Sequence, residues 1–361
     1  MNTDSLMPNQ PKIRVLLADD SAFVRAMLRS ILEAEPRIEI AGTATNGKEA
    51  VAAFAQIKPD LVLLDVEMPG MDGLEALSLI RRLEHSTPII MCSTLTQRGV
   101  QTTLEALARG ATDYVAKRGA QSGLSQGCPG LEHELIPKIL ALFPDKPSIW
   151  KKQPIPTHSP LSSPISLHEV ELVVVGISTG GPAALEVLLP QFPANFPAPI
   201  LLVQHMPQRF TAQLANRLNS LCPLRVCEAS NGDRPAPGVV NIARGDWHLE
   251  LTRDFRMHLH QRELQSFCRP SVDLLFRSAC TACGGRLLGV MLTGMGSDGL
   301  EGCRAIRGAG GTVFAQDETS SVVWGMPGAV AHAGLANRIL SLDAMAGEII
   351  RFSSRRGVSA S

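Results

Sequence analysis

Ser178 stands inside Gly176-Ile177-Ser178-Thr179-Gly180, directly behind the apolar run Leu172-Val173-Val174-Val175. That pattern puts a hydroxyl at the tip of a strand-to-helix turn, where flanking glycines permit tight backbone geometry and expose a nucleophile. A serine needs a base to attack at neutral pH, and the base needs a partner to fix its tautomer. His205 follows the apolar run Leu201-Leu202-Val203 and precedes Pro207; Asp298 lies in the glycine-rich stretch 293–299, behind the apolar run 289–292. Each of these residues falls at the end of an apolar run, so one edge of one parallel sheet would gather serine, base and carboxylate. His248, behind Gly245-Asp246-Trp247, competes as the base, but its neighbours read as a hairpin rather than a parallel strand end. Glycines around Met295 leave backbone N–H groups free to point into a cavity, so the N–H of Met295 or Thr179 is the candidate oxyanion donor. The serine turn taken alone would equally suit a phosphate held at a helix N-terminus.

A second set of reactive residues lies upstream. Asp19 and Asp20 end one apolar run, Asp65 another, Ser93 or Thr94 a third and Lys117 a fourth. Three carboxylates gathered at one sheet edge repel one another unless a hard divalent cation sits among them, and Mg²⁺ suits such an oxygen site. Asp65 would then attack a phosphoryl group while the metal and Lys117 neutralise the charge. One chain therefore reads as a switch joined to a hydrolase, with Mg²⁺ required by the switch and no cofactor by the hydrolase.

The elements that must position these groups follow from periodicity. Apolar runs at 13–18, 38–44, 61–64, 88–92 and 114–116 read as strands, and between them Phe23, Met27, Leu28 and Ile31, then Leu74, Leu77 and Ile80, recur at helical spacing. Strand and helix in alternation predict a parallel sheet. One more helix is expected at 131–143, followed by a Pro, Ser and Lys-rich stretch at 144–166 that favours an extended linker. A second α/β domain then opens near His168, with strands at 172–175, 200–203, 239–243 and 287–292 and an inserted polar-alternating hairpin at 248–251 and 256–260. The two halves share a class but no repeated motif.

Composition sets the outer bounds. The chain has 361 residues, more than one domain needs, and a formal net charge of +0, which gives no basic face for nucleic acid or an anionic membrane. Met1 to Lys12 lacks an apolar signal core and no apolar run approaches about 18 residues, so a cytoplasmic protein without membrane insertion is expected. The eight cysteines are scattered, and Cys280-x-x-Cys283 has no second pair to complete a zinc site, so reduced thiols on a helix are expected.

The segments LLADDSAFVR, LVLLDVEMPGMDGLEAL, PIIMCSTLT and GATDYVAK resemble the response-regulator receiver domain over about residues 12–120. The resemblance implies a flavodoxin-like (βα)5 fold and phosphorylation of Asp65 by a histidine kinase, which the second resemblance below places in a chemotaxis array. It further implies Mg²⁺ held by Asp20, Asp65 and the Glu67 backbone carbonyl with Asp19 in support, and a switch made of Ser93, Tyr114 and Lys117. Arg118 departs from the family, which has proline after the lysine. In the second half the order Ser, His, Asp differs from the α/β-hydrolases, where the acid precedes the histidine. That order, with VVVGISTGGP, LLVQHMP, CRPSVDLLF, VMLTGMGSDGL and QDETSSVVWGMP, instead resembles the catalytic domain of the chemotaxis protein-glutamate methylesterases of the CheB type. The resemblance implies a doubly wound, mainly parallel domain that hydrolyses γ-methyl glutamyl esters on chemoreceptors, releases methanol and deamidates receptor glutamines. Ser178 would be the nucleophile, His205 the general base and acid, Asp298 the orienting carboxylate and Met295 an oxyanion donor. The expected organisation is a receiver at 1–125, a helix and linker at 126–167 and a catalytic domain at 168–357, in a monomer whose receiver obstructs the catalytic face until Asp65 is phosphorylated. The rival reading is a phospho-dependent binding module with a silent hydrolase domain, and a third is a hydrolase of a soluble ester.

Overall fold

A computed structural model describes residues 11–94, 96–117, 131–144, 170–266 and 268–354. Arg118 and the Pro-rich stretch at 145–166 lie outside the described residues. The chain divides into two units, Met1–Phe143 and Pro144–Ser361.

In the first unit, strands β1 (Ile13–Ala18), β2 (Ile38–Ala44), β3 (Leu61–Asp65), β4 (Ile89–Thr94) and β5 (Asp113–Lys117) alternate with helices α1 (Ala22–Glu33), α2 (Gly47–Ile57), α3 (Gly73–Leu83), α4 (Gln97–Ala108) and α5 (Leu131–Leu142). The sheet is parallel throughout, in the order β2-β1-β3-β4-β5. Helix starts are set by side chains that accept orphan backbone donors. Ser21 accepts from the Val24 N–H, Asn46 from Glu49, Asp72 from Glu75 and Thr96 from Gly99. Alternate strand residues Val15, Leu17, Leu61, Leu63, Ile90, Cys92 and Val115 bury one face of the sheet against Leu28 and Leu32 of α1 and Leu135 and Ile139 of α5. The reading that closed the first domain at 125 and set the helix apart with the linker thus differs from the packing. The three buried apolar residues of α5 complete this core, and the unit runs on through Phe143. Lys138 adds a polar tie, donating to the Tyr114 carbonyl at 2.6 Å and pairing with Glu134 at 3.0 Å and Asp113 at 3.3 Å.

In the second unit a seven-stranded sheet has the order β14-β13-β12-β6-β7-β9-β8, every neighbouring pair parallel. Its strands are β6 (Leu172–Ile177), β7 (Ile200–Gln204), β8 (Arg225–Glu228), β9 (Val239–Ile242), β12 (Leu287–Met291), β13 (Thr312–Gln316) and β14 (Arg338–Leu340). The expected hairpin forms as a separate antiparallel pair, β10 (His248–Leu251) with β11 (Met257–His260). Helices α6 (Gly181–Leu188), α7 (Gln208–Leu221), α8 (Val272–Cys283), α9 (Leu300–Gly308), α10 (Met326–His332) and α11 (Leu342–Ser353) complete the unit. One face of the sheet packs through Val174, Leu201 and Val203 onto α8, α9, α10 and the apolar side of the hairpin, namely Leu249, Leu251 and Met257. The strands β8, β13 and β14 go beyond the four expected: β8 and β13 begin and end on polar residues around a short apolar centre, and β14 spans three residues. No helix among the described residues is long and apolar enough to cross a membrane.

Because Leu135 is fully buried in the first core, Leu135→Ala should destabilise that unit by about 2–5 kcal/mol. Urea unfolding followed by hydrogen exchange should find β5 amides deprotected and β6 amides unchanged. Unaltered exchange in β5 would mean that α5 is not part of this core.

Candidate active site and phospho-acceptor site

The chain winds outward from β6 through β7 on one side and from β12 through β13 on the other, so the strand order reverses between β6 and β12. A crevice opens at the C-terminal ends of strands at such a switch point, where loops diverge. Ser178 is the first residue past β6, His205 the first past β7, and Asp298 lies in the loop from β12 to α9. The sheet thus brings all three to one edge, as expected.

The serine turn is braced from both sides. The Ser178 N–H donates to the Thr293 carbonyl at 3.0 Å, and the Ser178 carbonyl accepts from Gly181 N at 2.8 Å and Gln204 Nε2 at 3.0 Å. Thr293 Oγ1 donates to the Thr179 carbonyl at 2.9 Å, fixing the β12 loop to the turn. Gly180 holds φ at 77°, in the left-handed region that glycine enters without strain. At Gly294 a Cβ would lie 2.8 Å from the Ser178 Cβ and 2.5 Å from the Met326 sulfur, so only glycine lets this loop close on the serine. Among the described residues neither the Thr179 nor the Met295 N–H has a hydrogen-bond acceptor, which leaves both donors available.

Asp298 is 4% exposed and fully engaged. Its Oδ1 accepts from Ser271 Oγ at 2.9 Å and Asp273 N at 3.1 Å, and its Oδ2 from Val272 N at 2.7 Å. Two of these donors are the first backbone amides of α8, whose N-terminus favours negative charge. The remaining contact is His205 Nε2 to Oδ2 at 2.9 Å; an ionised carboxylate only accepts, so Nε2 carries the proton and, in the neutral ring, Nδ1 the free lone pair. Burial pushes the Asp298 carboxyl up, but His205 and the α8 amides outweigh it and hold the group below its ordinary value. For His205 burial works downward, and the hydrogen bonds with Asp298 and Cys268 reverse it, so the imidazole sits above its ordinary value. No hydrogen bond joins Ser178 Oγ to His205 among the described residues; Nδ1 instead faces Cys268 Sγ at 3.8 Å. The competing histidine, His248, is buried on β10 and bonded through Nε2 to the Glu263 carbonyl at 3.0 Å, apart from this constellation.

The first unit has its own charged edge. Asp19 and Asp65 are buried and Asp20 is exposed, and one oxygen from each lies within 4.8 Å of the others. Lys117 Nζ bridges Asp19 Oδ2 at 2.6 Å and Asp65 Oδ1 at 2.7 Å. Burial raises the Asp65 carboxyl to about 6, against the lowering influence of Lys117. Glu67 is exposed two residues beyond, and its backbone N–H bonds the Asp65 carboxylate. Three carboxylates against one ammonium form a donor set of hard oxygens that fits Mg²⁺. Ser93 is fully buried and tied to α4, its hydroxyl 3.2 Å from the Gly99 carbonyl and 2.6 Å from Thr103 Oγ1 rather than on Asp65. Tyr114 is buried beneath Lys138, whose Nζ lies 5.1 Å from the ring centre, and burial pushes its phenol well up.

Three residues at this edge, Gln204 in LLVQHMP and Cys268 and Ser271 in CRPSVDLLF, were given no role from the sequence. Gln204 bridges the carbonyls of Ser178 and His205 at 3.0 and 3.2 Å. Ser271 is in the N-cap position of α8 yet gives its hydroxyl to Asp298 instead of capping. A serine just before a helical pattern signals a cap, which could have flagged it. Cys268 carries no such signal.

The CheB methylesterase family model matches residues 173–349, and the response regulator receiver domain model matches residues 15–127. A protein of Nocardioides sp. named protein-glutamate methylesterase/protein-glutamine glutaminase is 46% identical over 357 residues, covering 96% of this chain and 97% of that protein. One of the same name from Trichodesmium erythraeum is 45% identical over 348 residues, covering 94% and 99%. The solved CheB methylesterase catalytic domain of Thermotoga maritima is 40% identical, with a TM-score of 0.49, and covers 51% of this chain and 99% of that one. Matched in both halves and across nearly its whole length, the chain belongs to the CheB methylesterase family, with a response regulator receiver domain ahead of the methylesterase domain.

Proposed function

We propose that this protein is a phosphorylation-regulated protein-glutamate methylesterase that hydrolyses γ-methyl esters of chemoreceptor glutamates, and deamidates receptor glutamines, through Ser178, His205 and Asp298. The observation that carries the reading is the His205–Asp298 pair, 2.9 Å apart on the sheet edge that also presents the serine turn. With Nε2–H given to Asp298, His205 Nδ1 takes the Ser178 proton as Oγ attacks the ester carbonyl. Free enzymes commonly leave this hydrogen bond long, and here it forms in the complex with substrate. The tetrahedral oxyanion is met by the N–H groups of Thr179 and Met295, which have no other acceptor to give up. Collapse expels methoxide, which leaves as methanol with the proton from His205, and a glutamyl ester remains on Ser178. Water then attacks that ester, His205 again takes the proton, and glutamate is released. A primary amide runs the same course with ammonia as the leaving group.

The receiver supplies regulation. Asp65 is the phospho-acceptor, served by a phosphodonor kinase that in this reading is the histidine kinase of a chemotaxis array. Asp20 and Asp65, with the Glu67 carbonyl and with Asp19 in support, would hold the Mg²⁺ on which receiver phosphorylation generally depends; when bound, the ion neutralises charge on the incoming phosphoryl group. Lys117 already bridges Asp19 and Asp65 and stands ready to pair with that group. Phosphorylation adds about −1 of charge, enough to reorganise local hydrogen bonds. Ser93 and Tyr114 relay the change, and the receiver inhibits the esterase until then.

Three measurements test this reading. Ser178→Ala should abolish methanol release from methylated receptor membranes, by as much as about 10⁶-fold, without loss of fold; activity above about a tenth of wild type contradicts a serine mechanism that loses this much. The base works unprotonated, and His205 titrates above its ordinary value. The rising limb of kcat/KM with pH should therefore lie above about 6.5. In Asp298→Asn the limb should move to lower pH while the rate falls by about 10⁴-fold; an unmoved limb would remove Asp298 from the pair. Finally, a chain beginning near Ser166 should be more active than the unphosphorylated whole protein, and equal rates would reject inhibition by the receiver.

A further inference from the structure

The catalytic edge holds one more reactive group than ester hydrolysis uses. Cys268 Sγ lies 3.8 Å from His205 Nδ1, the nitrogen opposite the one bonded to Asp298. Both side chains are partly exposed, so a small solute reaches them. The cysteine is held firmly: its N–H donates to the Gln265 carbonyl at 2.8 Å and its carbonyl accepts from Gln265 N at 3.2 Å. The next residue, Arg269, is anchored by its guanidinium to Asp246 Oδ1 at 2.6 and 2.9 Å. One atom from each of His205, Cys268 and Asp298 falls within 4.8 Å of the others.

We propose that His205 Nδ1 and Cys268 Sγ form a reversible Zn²⁺ site that silences the esterase, with Asp298 as the outer carboxylate on the other ring nitrogen. Zinc lies about 2.0–2.1 Å from an imidazole nitrogen and about 2.3 Å from a thiolate, so at a tetrahedral angle the two ligand atoms lie about 3.6 Å apart. The observed 3.8 Å is close to that separation. A histidine bound to zinc commonly donates its other N–H to a carboxylate, which is the arrangement already present. Water fills the remaining tetrahedral positions. Ligation sends the Cys268 thiol proton, and the Nδ1 proton of any charged ring, to solvent and ties up the Nδ1 lone pair, so His205 can no longer accept the Ser178 proton. Softness separates this cluster from the first unit's: thiolate and imidazole suit zinc, whereas Asp19, Asp20 and Asp65 offer only hard oxygens. Silencing rests on the triad reading given above; binding does not.

The test uses the full-length protein, its Cys268→Ser variant and, against misfolding of the first, Cys268→Ala, each compared with its own metal-free rate. Zn²⁺ should inhibit methanol release by the wild type, chelation should restore it, and Mg²⁺ at the same concentration should not inhibit. The half-inhibiting zinc concentration should rise at least about 10-fold in both variants. Co²⁺ added in place of zinc should give the wild type a thiolate-to-cobalt absorption in the near ultraviolet that both variants lack. This spectral arm needs no turnover, so it decides binding even if the esterase reading fails. Equal inhibition of all three proteins, a cobalt spectrum unchanged by either substitution, or wild-type activity lost on chelation would each overturn the proposal.

Discussion

A buried negative charge organises the catalytic edge. Asp298 is nearly removed from water, and an unpaired carboxylate there would cost several kcal/mol. Four donors hold it: the Ser271 hydroxyl, two amides at the start of α8 and the His205 ring. Satisfying it requires α8 to begin against the β12 loop, and the helix shares one core with β6 and β12 through Val272, Phe276, Val174 and Met291. The same requirement fixes the imidazole: with Nε2–H committed to the carboxylate, only Nδ1 is left to do chemistry. The pair shifts in opposite directions, aspartate down and histidine up, as expected of two groups that each stabilise the charged form of the other.

The first unit solves a related problem differently. Asp65 is also buried, yet its one strong cationic partner, Lys117, is shared with Asp19, and its carboxyl rises to about 6. Compensation is complete at Asp298 and partial at Asp65. A site left short of positive charge is suited to recruiting a cation and a charged substrate, whereas a fully paired carboxylate is suited to holding a neighbour in place. Both arrangements depend on parallel sheets, which collect the ends of distant strands on one edge.

This edge logic explains what could be read before the structure. Asp19, Asp65 and Lys117, and likewise Ser178, His205 and Asp298, each follow an apolar run, so their convergence was legible from strand ends alone. The hairpin was legible too, because His248, Glu250, His258 and His260 alternate with Leu249, Leu251, Met257 and Leu259. Illegible were β8 and β13, whose short apolar centres Val226-Cys227 and Val313-Phe314-Ala315 lie between polar ends, and β14, which spans three residues in all. The placement of α5 was missed because a helix beyond a domain's last strand reads the same whether it packs or links. Gln204, Ser271 and Cys268 were missed for another reason. Their roles arise from which residue lies opposite in space, and nothing in a residue's own neighbours along the chain encodes that. Ser93 is an intermediate case: its position at a strand end was readable, while its hydrogen bond with Thr103 on α4 was not.

The central claim, that Asp298 and His205 activate Ser178 as a covalent nucleophile, is tested most directly by mapping the adduct of a serine-directed fluorophosphonate. The full-length protein would be treated with the reagent, digested and sequenced by mass spectrometry. The account predicts one adduct, on Ser178, formed slowly or not at all in Asp298→Asn. Stoichiometric labelling at another residue, or labelling of Ser178 at the same rate in both proteins, would contradict it.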